Sequence, residues 1–113
     1  MGVSEDYKKF IQELFAGFAP VTIRNMLGGG GVFNDGVMFA IIADETLYLK
    51  ADDTNRAAFE AEGMGPFTYQ AKDRVSTMSY WEVPERLYDD PEEFADWARS
   101  AYAVSFKNKK KKR

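Results

Sequence analysis

The sequence predicts a single α+β domain, an antiparallel β-sheet meander of about four to six strands packed by N- and C-terminal helices. Three observations predict it. Apolar residues recur at helical spacing only near the two ends of the chain. The middle is a run of short β-type segments joined by hairpin-length links, which suit antiparallel pairing and leave no room for parallel crossovers. The chain has 113 residues, 45% of them hydrophobic and 15% aromatic, enough for one core and no more.

The elements follow in order. Tyr7, Phe10, Ile11, Leu14, Phe15 and Phe18 mark one face of a helix over residues 5–18. Ser4 suits its N-cap, Glu5 and Asp6 suit its first turn, and Pro20 stops it. Val21 to Leu27 reads as a first strand, the glycines at 28–31 as a turn or bulge with positive φ, and Val32-Phe33 as a short second strand. Asn34-Asp35-Gly36 is a hairpin signal of the type I′ kind. Val37 to Ala43 is a nearly continuous apolar strand, central in the sheet and covered on at least one face. Asp44-Glu45 turns the chain into Leu47–Lys50. Asp53 reads as the N-cap of a short helix from Thr54 to Glu62, ended by Gly63 and Gly65. Phe67–Gln70 alternates as an edge strand does, and Val75–Val83 is a further strand. Pro84 opens a helical turn through Tyr88. Asp90, Pro91 and Glu93 then occupy the N-cap, N1 and N3 positions of a final helix with Phe94, Trp97, Ala98, Ala101 and Val104 on its buried stripe, fading near Lys107.

Charge divides the chain. Residues 1–106 hold 9 basic and 18 acidic residues, a net of −9, whereas the last seven positions carry +6. We therefore divide the sequence into a domain over residues 1–106 and a basic, disordered tail over residues 107–113. The absence of cysteine excludes disulfides, zinc–thiolate centres and thiol nucleophiles within this chain. The absence of histidine removes the usual general base near neutral pH and the commonest metal ligand. No apolar run approaches the roughly 20 residues of a membrane span, and the acidic start lacks a signal-peptide pattern, so a cytoplasmic location is expected.

Several segments in order resemble the N-terminal domain of the TfoX/Sxy family of competence regulators. They are Arg24-Asn25-Met26-Leu27-Gly28-Gly29, Asp35–Ala40, Leu47-Tyr48-Leu49-Lys50, Asn55-Arg56 with Phe59, Pro66-Phe67 with Tyr69, Met78–Pro84, and Asp90-Pro91 with Trp97-Ala98. The match covers residues 7–102, with Leu27 where the family pattern has Phe. The resemblance implies a regulatory module of natural DNA uptake that works through protein contacts in transcription regulation. It implies a protein partner, such as the cyclic-AMP receptor protein, and no cofactor. It also implies a stand-alone copy of the first domain, without the C-terminal domain of the better-known members.

Each candidate site has a functional and a structural reading. The glycine run lacks the Gly-Lys-Ser/Thr of a phosphate loop and any βαβ setting, so it reads as backbone geometry. The pairs Asp52-Asp53, Asp89-Asp90 and Glu92-Glu93 sit beside helix starts and read as caps, with acid/base or magnesium chemistry the alternative. Arg24 either contacts a partner carboxylate or phosphate or pairs with an acid of its own domain. Tyr80 and Trp81 are adjacent on one strand and face opposite ways, so one is core and the other, where exposed, a partner-contact anchor. Lys107, Lys109, Lys110, Lys111, Lys112 and Arg113 are either a solvated end or a sequence-independent nucleic-acid contact. The leading expectation is a non-enzymatic regulatory module, and the alternative a weak nucleic-acid binder acting through its tail.

Overall fold

The computed structural model describes residues 3–26 and 29–111. Helix α1 spans Glu5–Leu14, and the Ser4 hydroxyl accepts the Tyr7 amide at 3.2 Å, as its N-cap position requires. The helix tightens into a 3₁₀ turn over Phe15–Gly17 before Pro20. Six strands follow: β1 (Thr22–Met26), β2 (Gly29–Asn34), β3 (Val37–Ala43), β4 (Thr46–Lys50), β5 (Pro66–Ala71) and β6 (Arg74–Glu82). Between β4 and β5 lies a short helix α2 (Arg56–Ala61). A 3₁₀ turn over Glu85–Asp89 leads into the long helix α3 (Pro91–Lys111).

All strand pairs are antiparallel, in the order β1-β2-β3-β4-β6-β5. The first four strands form a simple meander. After α2 the chain runs to the outer position as β5 and returns inside it as β6. The hairpin turns follow from local chemistry. Asp35 and Gly36 adopt φ of 53° and 80°, and Asp44 and Glu45 adopt 54° and 56°, the paired positive values of a type I′ turn.

Helices cover one face of the sheet. Leu47 and Leu49 of β4, Ala40 and Ile42 of β3, and Val32 of β2 point toward α1 and α3 and are buried. Phe15 packs edge-on against Phe39 and Phe94, with ring centroids 5.3 and 4.8 Å apart. On α3, Phe94, Ala98, Ala101 and Val104 form the buried stripe, and its three alanines, Ala95 included, let the helix lie close to the sheet. Trp97 meets Phe59 of α2 edge-on at 4.9 Å and donates to Glu93 Oε2 at 3.3 Å.

Four local expectations need correction. The glycines at 29–31 are strand residues without positive φ, and Gly28 and Leu27 lie outside the described residues. Their role is close approach: a Cβ on Gly29 would collide with the Ile42 carbonyl oxygen across the β2–β3 pair. Helix α2 starts at Arg56, not Thr54, because Asp52 rather than Asp53 takes up the Thr54 amide, at 2.8 Å, and so holds residues 53–55 in a turn. Helix α1 is shorter than the 5–18 stripe, since the 3₁₀ turn carries Phe15 into the core. Finally, α3 does not fade near Lys107. It runs to Lys111, as good helix formers with cations near a helix C-terminus allow, while Lys112 and Arg113 lie outside the described residues.

Candidate interaction surface

The face of the sheet opposite the helices is largely uncovered among the described residues, Tyr80 beside Lys50 being its buried exception. Strand register and side-chain alternation decide which residues it shows. Arg24 pairs with Gly31, which pairs with Ile41, then Tyr48, then Glu82, so these five form one row across β1, β2, β3, β4 and β6. Met26 pairs with Gly29, and Gly29 with Ala43, in the next row. Phe33 and Met38 pair on the other side, and Tyr69 faces the Ser76–Met78 edge of β6.

This face is apolar yet wet. Met26 is 43% exposed, Tyr69 44% and Met78 36%, against a helix-facing side whose large residues are almost all below 7%. Together with Met38, Ile41, Ala43 and Phe67 they line a depression of about 480 Å³. Met26 belongs to one outer strand and Phe67 and Tyr69 to the other. Tyr48 and Phe67, on strands separated by β6, also touch edge-on at 5.1 Å. The sheet therefore curls, with its uncovered face concave.

The glycines shape that hollow. A Cβ on Gly31 would stand 2.6 Å from the Met26 sulfur and 2.8 Å from the Met38 sulfur, so the glycine is what lets both thioethers lie over the strand. Three of the five methionines of the chain sit here. Unbranched and polarisable, methionine adapts to partners of varied shape.

Of the sequence-derived contact candidates, Arg24 lies on this face beside the hollow, and none among the described residues lines the hollow itself. Arg24 is exposed on the concave face, with its guanidinium carbon 5.2 Å above the Phe33 ring, and among the described residues it makes no salt bridge. The domain acid expected to pair with it is not there. Tyr80 is only 5% exposed, and burial pushes its phenol pKa up. Trp81 is half-buried against the core, 6.2 Å from Phe59. Neither stands out as a free anchor, because β6 has helices over its Trp81 side and Lys50, 4.9 Å over the Tyr80 ring, on the other. Lys107 reaches Asp52 at 3.5 Å, and the Asp52 carboxyl is held below its usual range chiefly by its hydrogen bond from the Thr54 hydroxyl. Lys109, Lys110 and Lys111 lie on the last turn of α3, and Lys112 and Arg113 lie outside the described residues.

The carboxylate pairs do structural work. Asp90 Oδ1 accepts the Glu93 amide at 3.2 Å. Glu93 and Glu62 grip Arg86 from two sides, at 2.8 and 2.6 Å. Those contacts raise the arginine pKa and lower both glutamates. Among the described residues no three His, Cys, Asp or Glu side chains converge where a metal ion could be held. Residue-by-residue reading missed the concave face. Its signal lay in β3, where apolar residues occupy both alternation phases instead of one.

The comparisons with known proteins agree with the order of these elements. The family model described as the TfoX N-terminal domain matches residues 13–105, from the end of α1 to the last buried turn of α3. The DNA transformation protein TfoX1 of Aliivibrio fischeri is 34% identical over 68 residues. That stretch covers 60% of this chain and 32% of the relative, so the match spans about a third of that protein's length. On the span and order of this match, the chain belongs to the TfoX N-terminal domain family.

Proposed function

We propose that this protein is a non-enzymatic regulatory module of competence-related gene expression, acting through protein contacts made by its concave sheet face. The carrying observation is that face: an apolar, methionine-rich hollow of about 480 Å³, solvent-exposed on a domain whose opposite sheet face is fully packed. Family membership and the similarity to a DNA transformation protein support the regulatory setting. The absence of histidine and cysteine from the sequence favours binding over catalysis. A transcription factor such as the cyclic-AMP receptor protein is the partner that the family resemblance suggests, and the cytoplasm is the matching compartment. No helix among the described residues is long and apolar enough to cross a membrane.

The test is a competence-promoter reporter in a host whose own copy is deleted, complemented by the full chain or by Met78→Asp. Met78 is exposed on the sheet, so a charge there leaves the core intact while spoiling the hollow. We expect the variant to lose the reporter response with an unchanged circular-dichroism spectrum and melting temperature. An unchanged response would remove the concave face from the mechanism.

A second reading has its own observation: α3 carries the basic segment to Lys111 on a helix continuous with the core. Such an end would meet nucleic-acid phosphates without sequence preference. Replacing Lys109, Lys110 and Lys111 by Gln in the full chain tests it. A binding titration at two salt concentrations should then lose affinity and flatten its salt slope by roughly 3.

A further inference from the structure

We infer that the occupant of the concave face is an acidic amphipathic segment of a partner protein, its apolar side chains entering the hollow and its carboxylates meeting Arg24. This rests on the reading of that face as the working surface and adds the chemistry of what it takes.

Charge is distributed unevenly between the sheet and the elements around it. Through residue 106 the chain is strongly acidic, at −9. Its six strands carry only four charged residues, namely Arg24, Lys50, Arg74 and Glu82, a net of +2. The other 17 of the 18 acids lie on helices, turns and loops. The sheet thus carries a small positive charge, with Glu82 in the row of Arg24, inside a domain whose helices, turns and loops up to residue 106 hold −11 and repel an approaching acid.

Local detail points the same way. Arg24 and Met26 lie two residues apart on one strand face, so a guanidinium stands beside the apolar hollow. Its only described contact is the Phe33 ring, which leaves its forked donors open to a carboxylate. An apolar floor with a cation on its rim suits an apolar stripe flanked by Asp or Glu. It suits nucleic acid poorly, since phosphates gain nothing from Met26, Met38 and Tyr69. A second copy would bring another strongly acidic body to the same place.

The experiment is a selection of a random-sequence displayed peptide library against the full-length chain, followed by anisotropy titration of the enriched peptides. We expect sequences that combine Leu, Ile, Met or Phe with Asp or Glu. Met78→Asp should abolish their binding, and Arg24→Glu should weaken it roughly tenfold or more. Exchanging the peptide acids for Lys should restore affinity for Arg24→Glu only. Both variants are checked for an unchanged melting temperature.

Enrichment of basic or uncharged peptides would overturn the inference, as would binding indifferent to both substitutions. Failure to enrich any peptide would also overturn it. Concentration-dependent dimerisation in sedimentation that Met78→Asp abolishes would do so too, making the occupant a second copy. The reporter assay above separates the levels. A reporter sensitive to Met78→Asp beside a failed selection keeps the interaction module and rejects the acidic segment, whereas an insensitive reporter rejects the module itself.

Discussion

The two faces of the one sheet are built from similar residues and come to opposite ends. On the helix side, Phe39, Leu47, Leu49 and Ile42 are buried beneath α1 and α3. On the other side, Met26, Tyr69 and Met78 remain between 36% and 44% exposed. Apolar character alone therefore does not decide burial. The helix side has partners within the chain, with α3 supplying Phe94 and a stripe of alanines shaped to fit. The concave side has a curved floor of glycine and alanine and, among the described residues, no element to fill it. Stability is concentrated on the first face, and the second is free for interaction.

The comparison breaks most visibly at Phe94. Its ring is fully buried and meets Phe15 at 4.8 Å, at the junction of α1, α3 and the sheet. Phe94→Ala should cost about 3–5 kcal/mol, read as a lowered denaturant midpoint at constant slope. In a domain of this size that is a large part of the total stability.

The glycines of β2 give the next largest effect and test the two faces against each other. At Gly29 an added methyl meets the backbone carbonyl of Ile42, which cannot move without breaking strand pairing. At Gly31 it meets the sulfurs of Met26 and Met38, the ends of flexible side chains on the open face. Gly29→Ala should cost about 1–3 kcal/mol, and Gly31→Ala distinctly less. Equal losses in urea unfolding would mean that the concave face is as rigidly packed as the covered one.

A smaller effect comes from pH, at the edge of the covered face. Arg86 holds Glu62 and Glu93 ionised, so the folded state depresses both carboxyl pKa values. A group depressed on folding stabilises above its unfolded pKa and loses that contribution as pH falls through its folded value. Thermal stability should accordingly decline as pH drops below about 4.5, the ordinary glutamate range. Arg86→Met should flatten that decline. All three groups are near the surface, so added salt should shrink the difference between the variant and the parent.

How much of this was legible follows from where the signals are local. The Val37–Ala43 strand, the Asp35-Gly36 turn and the Asp90 cap were readable because each depends on its own few residues. Register, edge position and curvature depend on pairings between distant segments. Gly29 shows the difference: from the sequence it resembles a turn residue, yet its reason is a carbonyl of β3. Tyr80 and Trp81 show it again, since alternation set them on opposite faces but could not say that Lys50 would cover one and Phe59 the other. The hollow is assembled from β1, β2, β3, β5 and β6 together, so no single segment announced it.

The smallest expected effect is the sharpest test of the contrast between the faces. Met78 projects from β6 into the hollow and is 36% exposed. A polar side chain of smaller size there loses little burial and creates no closed cavity, because the space is already open to water. Met78→Ser should change unfolding free energy by no more than about 0.5 kcal/mol, as surface substitutions do. The same variant should still weaken any ligand of the concave face, since a bound apolar segment would turn that exposed thioether into a buried contact. A loss of several kcal/mol from Met78→Ser would instead make the hollow a second core, packed for stability.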